Sequence, residues 1–222
     1  MAGSQGGLGS TASSGVVVIG AGGHAKVVIE LLRAAGREVD FCIAGSGDEG
    51  TTCLGVPVLI GDDRARELWR EGYRHAIVAI GNNRLRERLA RDLADLGFTF
   101  VNAVSPRAVV SPSARLGVGV AVMAGAVINA EAVIGDHVII NTLASVDHDC
   151  VIGAASHVAP HCGLAGGARV GDRVFLGIGS TVLPEISIGP DVQVGAGSVV
   201  IRDIAVGTVV GVPARPIGND VR

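Results

Sequence analysis

A six-residue repeat of aliphatic side chains in the second half of the chain constrains the fold more than any other feature. Every sixth residue from Val110 to Val212 is Val, Leu or Ile, and the residue four places after each is small or β-branched. A glycine also recurs every 18 residues, so three six-residue units make one structural cycle. Because six is a multiple of the strand period of two and not of the helical period of 3.6, the pattern predicts short strands around a three-sided tube. A β-sandwich with accidental spacing would not keep this register. The aliphatic positions are Val110, Leu116, Val122, Ile128, Ile134, Ile140, Val146, Ile152, Val158, Leu164, Val170, Leu176, Val182, Ile188, Val194, Val200, Val206 and Val212, and the glycines are Gly117, Gly135, Gly153, Gly171, Gly189 and Gly207.

The composition agrees with a narrow tube. The 222 residues include 34 glycines and only 3% aromatic residues, which suits a prism with room for Val, Ile and Ala but for few rings. The net charge of −3 and the pI near 6.0 argue against a nucleic-acid-binding or acidic-membrane surface. Since there is no run of 18 apolar residues and no charged-then-apolar leader, we expect a cytoplasmic protein without membrane insertion.

The sequence divides into three segments. Residues 1–14 are rich in Gly and Ser and are predicted to be disordered, residues 15–104 alternate strand and helix patterns, and residues 105–222 form the tube. The fold class expected is therefore a small α/β domain with a parallel βαβ sheet, followed by a parallel β-helix. The predicted strands cover residues 15–19, 40–44, 75–80 and 98–101, and the predicted helices cover residues 24–35, 64–73 and 84–96.

Two glycine-rich turns in the first domain could bind phosphate. The segment Gly20–Ala25 follows a strand and opens a helix, so that free N–H groups and the helix dipole point at one spot. It fits G-x-G-x-x-A, and Asp40 follows 20 residues later, as in dinucleotide-binding folds. The sheet is small for a dinucleotide fold, and a phosphate-only role suits it better. The second turn, Gly81-Asn82-Asn83, would line the same crevice if its strand lies beside the first strand. The alternative is that both are only tight turns.

The tube carries a histidine that could act as a general base. His148 occupies neither inward position of its repeat and is flanked by Asp147 and Asp149, and a neighbouring carboxylate raises the basicity of an imidazole and fixes its tautomer. Gly166 follows one cycle later, so its N–H is expected roughly 4.8 Å along the tube, where it could hold an oxyanion. His157 is half a cycle away and must lie on another side. The alternative is that His148 is an ordinary solvated histidine.

Neither a metal nor a cysteine nucleophile is expected. The histidines fall on different sides of the tube and would not converge on a metal in one subunit. The four cysteines, Cys42, Cys53, Cys150 and Cys162, have no metal-ligand spacing. Cys150 and Cys162 take the inward small position, which predicts core thiols.

The chain from about residue 16 to 216 resembles the bacterial sugar acetyltransferases that modify sialic acid, bacillosamine and perosamine precursors. The segments that carry the resemblance are IGAGGHA, AIGNN, NTLASVDHDC, SHVAP, AGGARVG and GVPAR, in family order. The resemblance implies a left-handed β-helix, a nucleotide-sugar domain ahead of it, acetyl-CoA as co-substrate, and a homotrimer with the coenzyme between subunits. It also implies direct attack of a sugar amine on the thioester, without an acyl-enzyme.

The resemblance also assigns site residues. It makes His148 the general base and Asp149 its carboxylate partner. The positions assigned to the nucleotide sugar are Gly22, Gly23, His24, Gly81, Asn82 and Asn141, and those assigned to acetyl-CoA are His157, Gly166, Ile178, Ala196 and Arg215.

One departure bears on the substrate. Relatives that take a UDP-sugar have an Asp-Asp pair where this chain has Ala44-Gly45, so we expect a GDP-linked 4-amino-4,6-dideoxy sugar such as GDP-perosamine. A UDP-linked amino sugar and the hydroxyl of a sialic acid are the alternative acceptors. Two further alternatives belong to other functional classes. A dinucleotide-binding oxidoreductase would use Asp40 but would leave the β-helix without a function. A structural trimeric scaffold would leave His148 unexplained.

Overall fold

The computed structural model describes residues 15–47 and 50–217, and the predicted disordered segment 1–14 lies outside these ranges. An α/β domain precedes a left-handed parallel β-helix, which confirms the expected fold class. The first strand of the β-helix begins at Ala103, just before the predicted start at residue 105.

The N-terminal domain is a twisted sheet with helices on both faces. Its strand order is β3-β4-β2-β1-β5-β6, and all the neighbouring pairs except β3 with β4 are parallel. The predicted parallel pairing of the first strand with the strand at residue 75 is confirmed. The elements are β1 Val16–Ile19, α1 Gly23–Ala34, β2 Val39–Ala44, β3 Thr52–Cys53, β4 Val56–Ile60, α2 Arg64–Arg70, β5 His75–Val78, α3 Asn83–Leu96 and β6 Thr99–Phe100.

Two of these strands are absent from the sequence prediction. β3 and β4 form a hairpin through Leu54 and Gly55, both at positive φ, and β4 then pairs with β2 in parallel. Leu-Gly is a weak turn signal beside Asn-Gly, and Pro57 inside β4 argues against a strand unless the strand is at an edge. The short hairpin at the sheet edge satisfies that condition.

The β-helix has three flat faces. Face 1 carries β7 Ala103–Val104, β10 Ala121–Val122, β13 Ile139–Ile140, β16 His157–Val158, β19 Phe175–Leu176, β22 Gln193–Val194, β24 Thr208–Val210 and β25 Arg215–Pro216. Face 2 carries β8 Val109–Val110, β11 Val127–Ile128, β14 Ser145–Val146, β17 Gly163–Leu164, β20 Thr181–Val182 and β23 Val199–Val200. Face 3 carries β9 Arg115–Leu116, β12 Val133–Ile134, β15 Val151–Ile152, β18 Arg169–Val170 and β21 Ser187–Ile188.

The 18-residue cycle appears directly in the strand register. Ile140 pairs with Val158 and Val146 pairs with Leu164, so each residue sits above its counterpart one coil earlier. The aliphatic positions fill the interior, which they share with the small residues. The recurring glycines are corners: a Cβ on Gly153 would lie 2.5 Å from the backbone nitrogen of Asp172 in the next coil. The glycines that recur every 18 residues from Gly117 to Gly189 all lie at such corners, close to the backbone of the next coil.

The prediction that the repeat continues to Val212 is wrong. Val206 and Val212 are 79% and 73% exposed. The reason is that the last coil is shorter than 18 residues, since Val194 pairs with Val209 and Ile188 bridges to Ile204. Gly207 is consequently not a corner either, because a Cβ there would contact nothing within 4 Å.

The N-terminal domain packs on face 1. Ala121, Met123 and Ile139 of that face share one buried core with α1 and β1. This packing fixes which side of the β-helix faces the turns of the α/β domain, and it leaves faces 2 and 3 uncovered by that domain. Among the described helices, none is long and apolar enough to cross a membrane.

Candidate active site

A cavity of about 910 Å³ opens at the carboxyl edge of the N-terminal sheet. It is lined by the turns at residues 20–24, 43–46, 61–62 and 80–81 and by one side of α3. Ligands of parallel α/β sheets bind at this edge, outside the carboxyl ends of the strands. The two predicted phosphate turns therefore do line one crevice.

The glycines of these turns fall into two kinds. Gly20 has φ +119, and a Cβ on it would lie 2.7 Å from the carbonyl oxygen of Ala79, so the fold itself requires glycine there. A Cβ on Gly22, Gly23 or Gly81 would contact nothing within 4 Å, and none of the three has a positive φ. Because neither the backbone nor the packing requires glycine at these three positions, the open space favours close approach of a ligand over the tight-turn alternative.

Asp40 cannot complete a dinucleotide site. It lies near the start of β2, whose first residue pairs with Val16, and its carboxylate is packed against Gly15. The glycine turn follows the other end of β1. An acidic residue that binds a ribose must lie at the carboxyl end of β2. The interpretation of Gly20–Ala25 and Asp40 as a dinucleotide-binding site is therefore not supported.

Two half-buried histidines lie at the interface between the domains. The ring of His24, in the first turn of α1, has its centroid 6.4 Å from that of His157 on face 1. Asn141 Nδ2 lies 3.0 Å from His157 Nε2, so its amide can donate to a neutral imidazole. His24 Nε2 and His157 Nδ1 are buried without a hydrogen-bond partner among the described residues. Burial, together with the positive charge of Arg86, lowers the pKa of both rings to about 4.

His148 lies at the corner between faces 2 and 3, with 60% of its side chain exposed. Asp149 Oδ2 accepts a hydrogen bond from Nδ1 at 2.8 Å, which leaves Nε2 free to take a proton. This bond raises the pKa of His148, and the charge of Asp147 adds to the effect. Asp147 is itself held by Asn129 Nδ2 at 2.9 Å. The bond to Asp149 fixes the tautomer of the ring, as the predicted general base requires.

Gly166 stands beside the His148 ring, one coil further along the tube. A Cβ on Gly166 would lie 2.6 Å from both Cε1 and Nε2 of His148, so only glycine leaves room for the ring. Its N–H donates no hydrogen bond to any of the described residues. The free N–H next to Nε2 agrees with the predicted oxyanion position.

The two halves of the candidate site lie on opposite sides of one chain. The cavity and the His24–His157 pair adjoin face 1, and His148 and Gly166 lie at the corner opposite that face. A single subunit therefore does not bring the predicted phosphate turns and the predicted base together.

The remaining predicted coenzyme positions lie elsewhere on the tube. Ile178 and Ala196 are exposed, 18 residues apart, at the corner between faces 1 and 2. Arg215 is exposed in β25, near the end of the described β-helix. His157 faces its own N-terminal domain, and its assignment to the coenzyme stays a prediction.

The inward cysteines are core thiols, as predicted. Cys150 and Cys162 are buried and donate to backbone carbonyl groups of the next coil, and burial raises the pKa of both. A thiol of this kind is a poor nucleophile. In the described residues, no group of three or more His, Cys, Asp or Glu side chains is placed to hold a metal ion.

Arg86 lies within the predicted helix 84–96, but the sequence did not identify it as a functional residue. Arg86 is 1% exposed and lies at the joint between the domains. It shares one face of α3 with the buried Asn83, Ala90 and Leu93. That three-and-four spacing is the buried stripe of an amphipathic helix, and it was the available signal that this arginine points inward.

Family models match both parts of the chain. The PglD N-terminal domain family matches residues 15–93, and the bacterial transferase hexapeptide family (six repeats) matches residues 167–202. These matches cover most of the α/β domain, including the predicted phosphate turns, and part of the β-helix after Gly166.

Similar solved structures cover almost the whole chain. PerB, a GDP-perosamine N-acetyltransferase from Caulobacter crescentus solved with CoA and GDP-perosamine, is 54% identical, with 92% of this chain and 97% of that chain covered and a TM-score of 0.88. The acetyltransferase domain of PglB from Neisseria gonorrhoeae, solved with acetyl coenzyme A, is 39% identical, with 92% and 99% covered and a TM-score of 0.86. A curated relative, UDP-N-acetylbacillosamine N-acetyltransferase of Bacillus subtilis, is 38% identical over 116 residues, which span 49% of this chain and 51% of that protein.

The half-buried histidine pair His24 and His157 predicts an acid-labile fold. In the unfolded chain each ring takes up a proton near its ordinary pKa of 6.5, but in the folded protein only at about 4. The unfolded state therefore binds more protons between these values, and stability should fall as the pH is lowered from 6.5 towards 4. His157→Gln should flatten the dependence of Tm on pH in this window, measured by differential scanning fluorimetry. The exposed His161→Asn is the control and should leave the slope unchanged; an equally steep slope in His157→Gln would contradict the assignment.

Proposed function

The chain belongs to the family of hexapeptide-repeat perosamine and bacillosamine N-acetyltransferases, and we propose that it transfers the acetyl group of acetyl-CoA to the 4-amino group of a GDP-linked 4-amino-4,6-dideoxy sugar such as GDP-perosamine. The observation that carries the proposal is the pairing of His148 with Asp149 beside the free N–H of Gly166. A base and an oxyanion donor at one point are what acyl transfer to an amine needs.

The chemical step is direct attack by the amine. The amine nitrogen forms a bond to the acetyl carbonyl carbon while His148 Nε2 takes the proton that the nitrogen loses. The Gly166 N–H stabilises the negative charge that develops on the carbonyl oxygen. The C–S bond then breaks, and CoA leaves as the thiolate, which is protonated to the thiol. Asp149 keeps the proton of the neutral ring on Nδ1 and stabilises the imidazolium.

The nucleotide sugar is proposed to bind in the cavity of the N-terminal domain. Gly22, Gly23 and Gly81 leave space for the backbone to approach a diphosphate, and the start of α1 supplies the positive end of a helix dipole. His24, whose Nε2 has no hydrogen-bond partner among the described residues, lines the same cavity. A nitrogen of this kind is a hydrogen-bonding position that a ligand can satisfy.

The base is proposed to be guanine. The ends of β2 and β4 form the cavity wall furthest from the phosphate turns. At the end of β2, Ala44 and Gly45 stand where relatives that take a UDP-sugar have an Asp-Asp pair, and Asp62, after β4, is the carboxylate that lines this wall. The 54% identical relative was solved with GDP-perosamine, which supports the same nucleotide here.

A homotrimer would complete the site. Since His148 lies at the corner opposite face 1, the cavity of one subunit must meet the His148 corner of a neighbour. Cyclic symmetry supplies three equivalent junctions of this kind. Ile178 and Ala196, at a different corner from His148, would then line the coenzyme between subunits, with Arg215 near one end.

A panel of nucleotide sugars tests the proposed reaction. GDP-, UDP- and dTDP-linked 4-amino-4,6-dideoxy sugars are mixed with acetyl-CoA, and release of the CoA thiol is followed with a thiol reagent. We expect the highest kcat/KM with the GDP-sugar, and no release when the 4-amino group is replaced by a hydroxyl. A preference for the UDP-sugar would overturn the base assignment alone, and no acetylation of any amine would overturn the proposed function.

Replacing His148 tests the base. His148→Asn should lower kcat by roughly 10²–10⁴, the range for loss of general-base catalysis, and should leave the KM for acetyl-CoA nearly unchanged. Asp149→Asn should cost less, because it alters the basicity of the ring but does not remove it. Asp172→Asn is the control, since that carboxylate caps a corner N–H away from His148. An unaltered kcat in His148→Asn would assign the base to another residue.

A further inference from the structure

Arg86 is a buried cation without an anionic partner among the described residues. It is 1% exposed, and no carboxylate in residues 15–47 or 50–217 lies within ion-pair distance of it. Burial lowers its pKa to about 10. A buried charge of this kind is costly unless its donors are all satisfied or a counter-charge arrives with a ligand.

The guanidinium is satisfied almost entirely by backbone carbonyl groups from both domains. Two of these belong to the turn after β5, and three belong to two successive coils of the β-helix. The acceptors are Ile80 O at 2.8 Å and Gly81 O at 3.2 Å from Nη1, His137 O at 2.8 Å from Nε, and Asn83 Oδ1 at 2.9 Å, Ala155 O at 2.7 Å and Ser156 O at 3.2 Å from Nη2.

The two contacts with the turn fix the direction of two peptide units. In a trans peptide the C=O and N–H point in opposite directions. Because Arg86 holds the carbonyl groups of Ile80 and Gly81 on its own side, the N–H groups of Gly81 and Asn82 point away from it. Neither N–H donates a hydrogen bond to another described residue. Gly81 lines the cavity, and a Cβ on it would contact nothing within 4 Å.

We propose that Arg86 is a positioning residue for the nucleotide-sugar diphosphate: it holds the Ile80–Gly81 and Gly81–Asn82 peptide units so that their N–H groups face the diphosphate, and it anchors that turn to the β-helix. The inference rests on the proposed nucleotide-sugar substrate. Arg86 polarises both peptide units in the direction that favours an anion, since each N–H becomes a better donor when its carbonyl group binds a cation. The diphosphate then supplies the negative charge that the protein does not.

The planar fork of arginine is needed for this arrangement. Three nitrogens reach six acceptors in different directions, whereas a lysine presents one nitrogen with three donors. Arg86→Lys keeps the charge and cannot hold both the turn and the two coils. This variant therefore separates the positioning of the peptide units from the presence of a charge.

Steady-state kinetics of Arg86→Lys and Arg86→Gln test the proposal. We expect the KM for the GDP-sugar to rise about 10- to 100-fold, the loss typical when one or two charge-assisted hydrogen bonds to a ligand are weakened, with less than a twofold change in the KM for acetyl-CoA. Arg173→Gln is the matched control. Arg173 also spans the domain joint, through ion pairs with Glu87 and Asp191, but donates to no carbonyl group of the turn. It should lower Tm and leave both KM values unchanged.

A measurement on the unmutated protein covers the case in which the variants do not fold. Addition of GDP should shift the amide NMR resonances of Gly81 and Asn82 more than that of Gly97, the C-cap of the same helix α3. Unshifted resonances under saturating GDP would overturn the proposal. So would a wild-type KM for the GDP-sugar in a folded Arg86→Lys variant, or parallel changes in both KM values. If the wild-type protein acetylates no nucleotide sugar, the proposed function itself has failed, whatever Arg86 does.

Discussion

The 18-residue coil is the constraint on which the rest of the structure depends. Each coil stacks on the one before at the spacing of hydrogen-bonded strands, so residues 18 apart occupy the same face or corner. Corner glycines such as Gly153 permit this spacing, because a Cβ there would meet the backbone of the next coil at 2.5 Å. The same register puts Gly166 beside His148 and puts both at the corner opposite the N-terminal domain. The separation of the two halves of the site therefore follows from the period of the repeat.

The glycines of this chain serve two different physical purposes. At the β-helix corners and at Gly20, a side chain would collide with the backbone. At Gly22, Gly23 and Gly81 a side chain would meet only open space beside the cavity. The first kind is required by the fold, and the second kind leaves room for the proposed ligand to approach the backbone. Arg86 connects the turn of the cavity to the β-helix, because its guanidinium binds both the turn at Gly81 and two coils of the tube. The nucleotide crevice is thus held at a fixed position on face 1.

The sequence allowed the β-helix and the His148 corner to be predicted because a strict period converts spacing directly into position. The predicted extent of the repeat was wrong where the period changes. Val206 and Val212 continue the six-residue spacing of aliphatic residues in the sequence, but the shorter last coil leaves both exposed. β3 and β4 were missed because a Pro-containing edge hairpin has weak local signals. Arg86 was missed because charge normally marks a surface. Its role depends on carbonyl groups up to 70 residues away in sequence, which no local pattern records.

The central claim is that the nucleotide domain of one subunit works with His148 of another. Mixed trimers test it most directly. Chains with His148→Ala, which keep an intact cavity, are unfolded and refolded together with chains carrying Gly81→Val, which keep His148. If the site forms between subunits, random assembly from equal amounts of the two chains should restore acetyltransferase activity to about a quarter of the wild-type value. About half of the sites then have an intact cavity, and about half of those have a neighbour that supplies His148. If the mixture stays as inactive as the two variants alone, although mixed trimers are present by mass spectrometry, the account is contradicted.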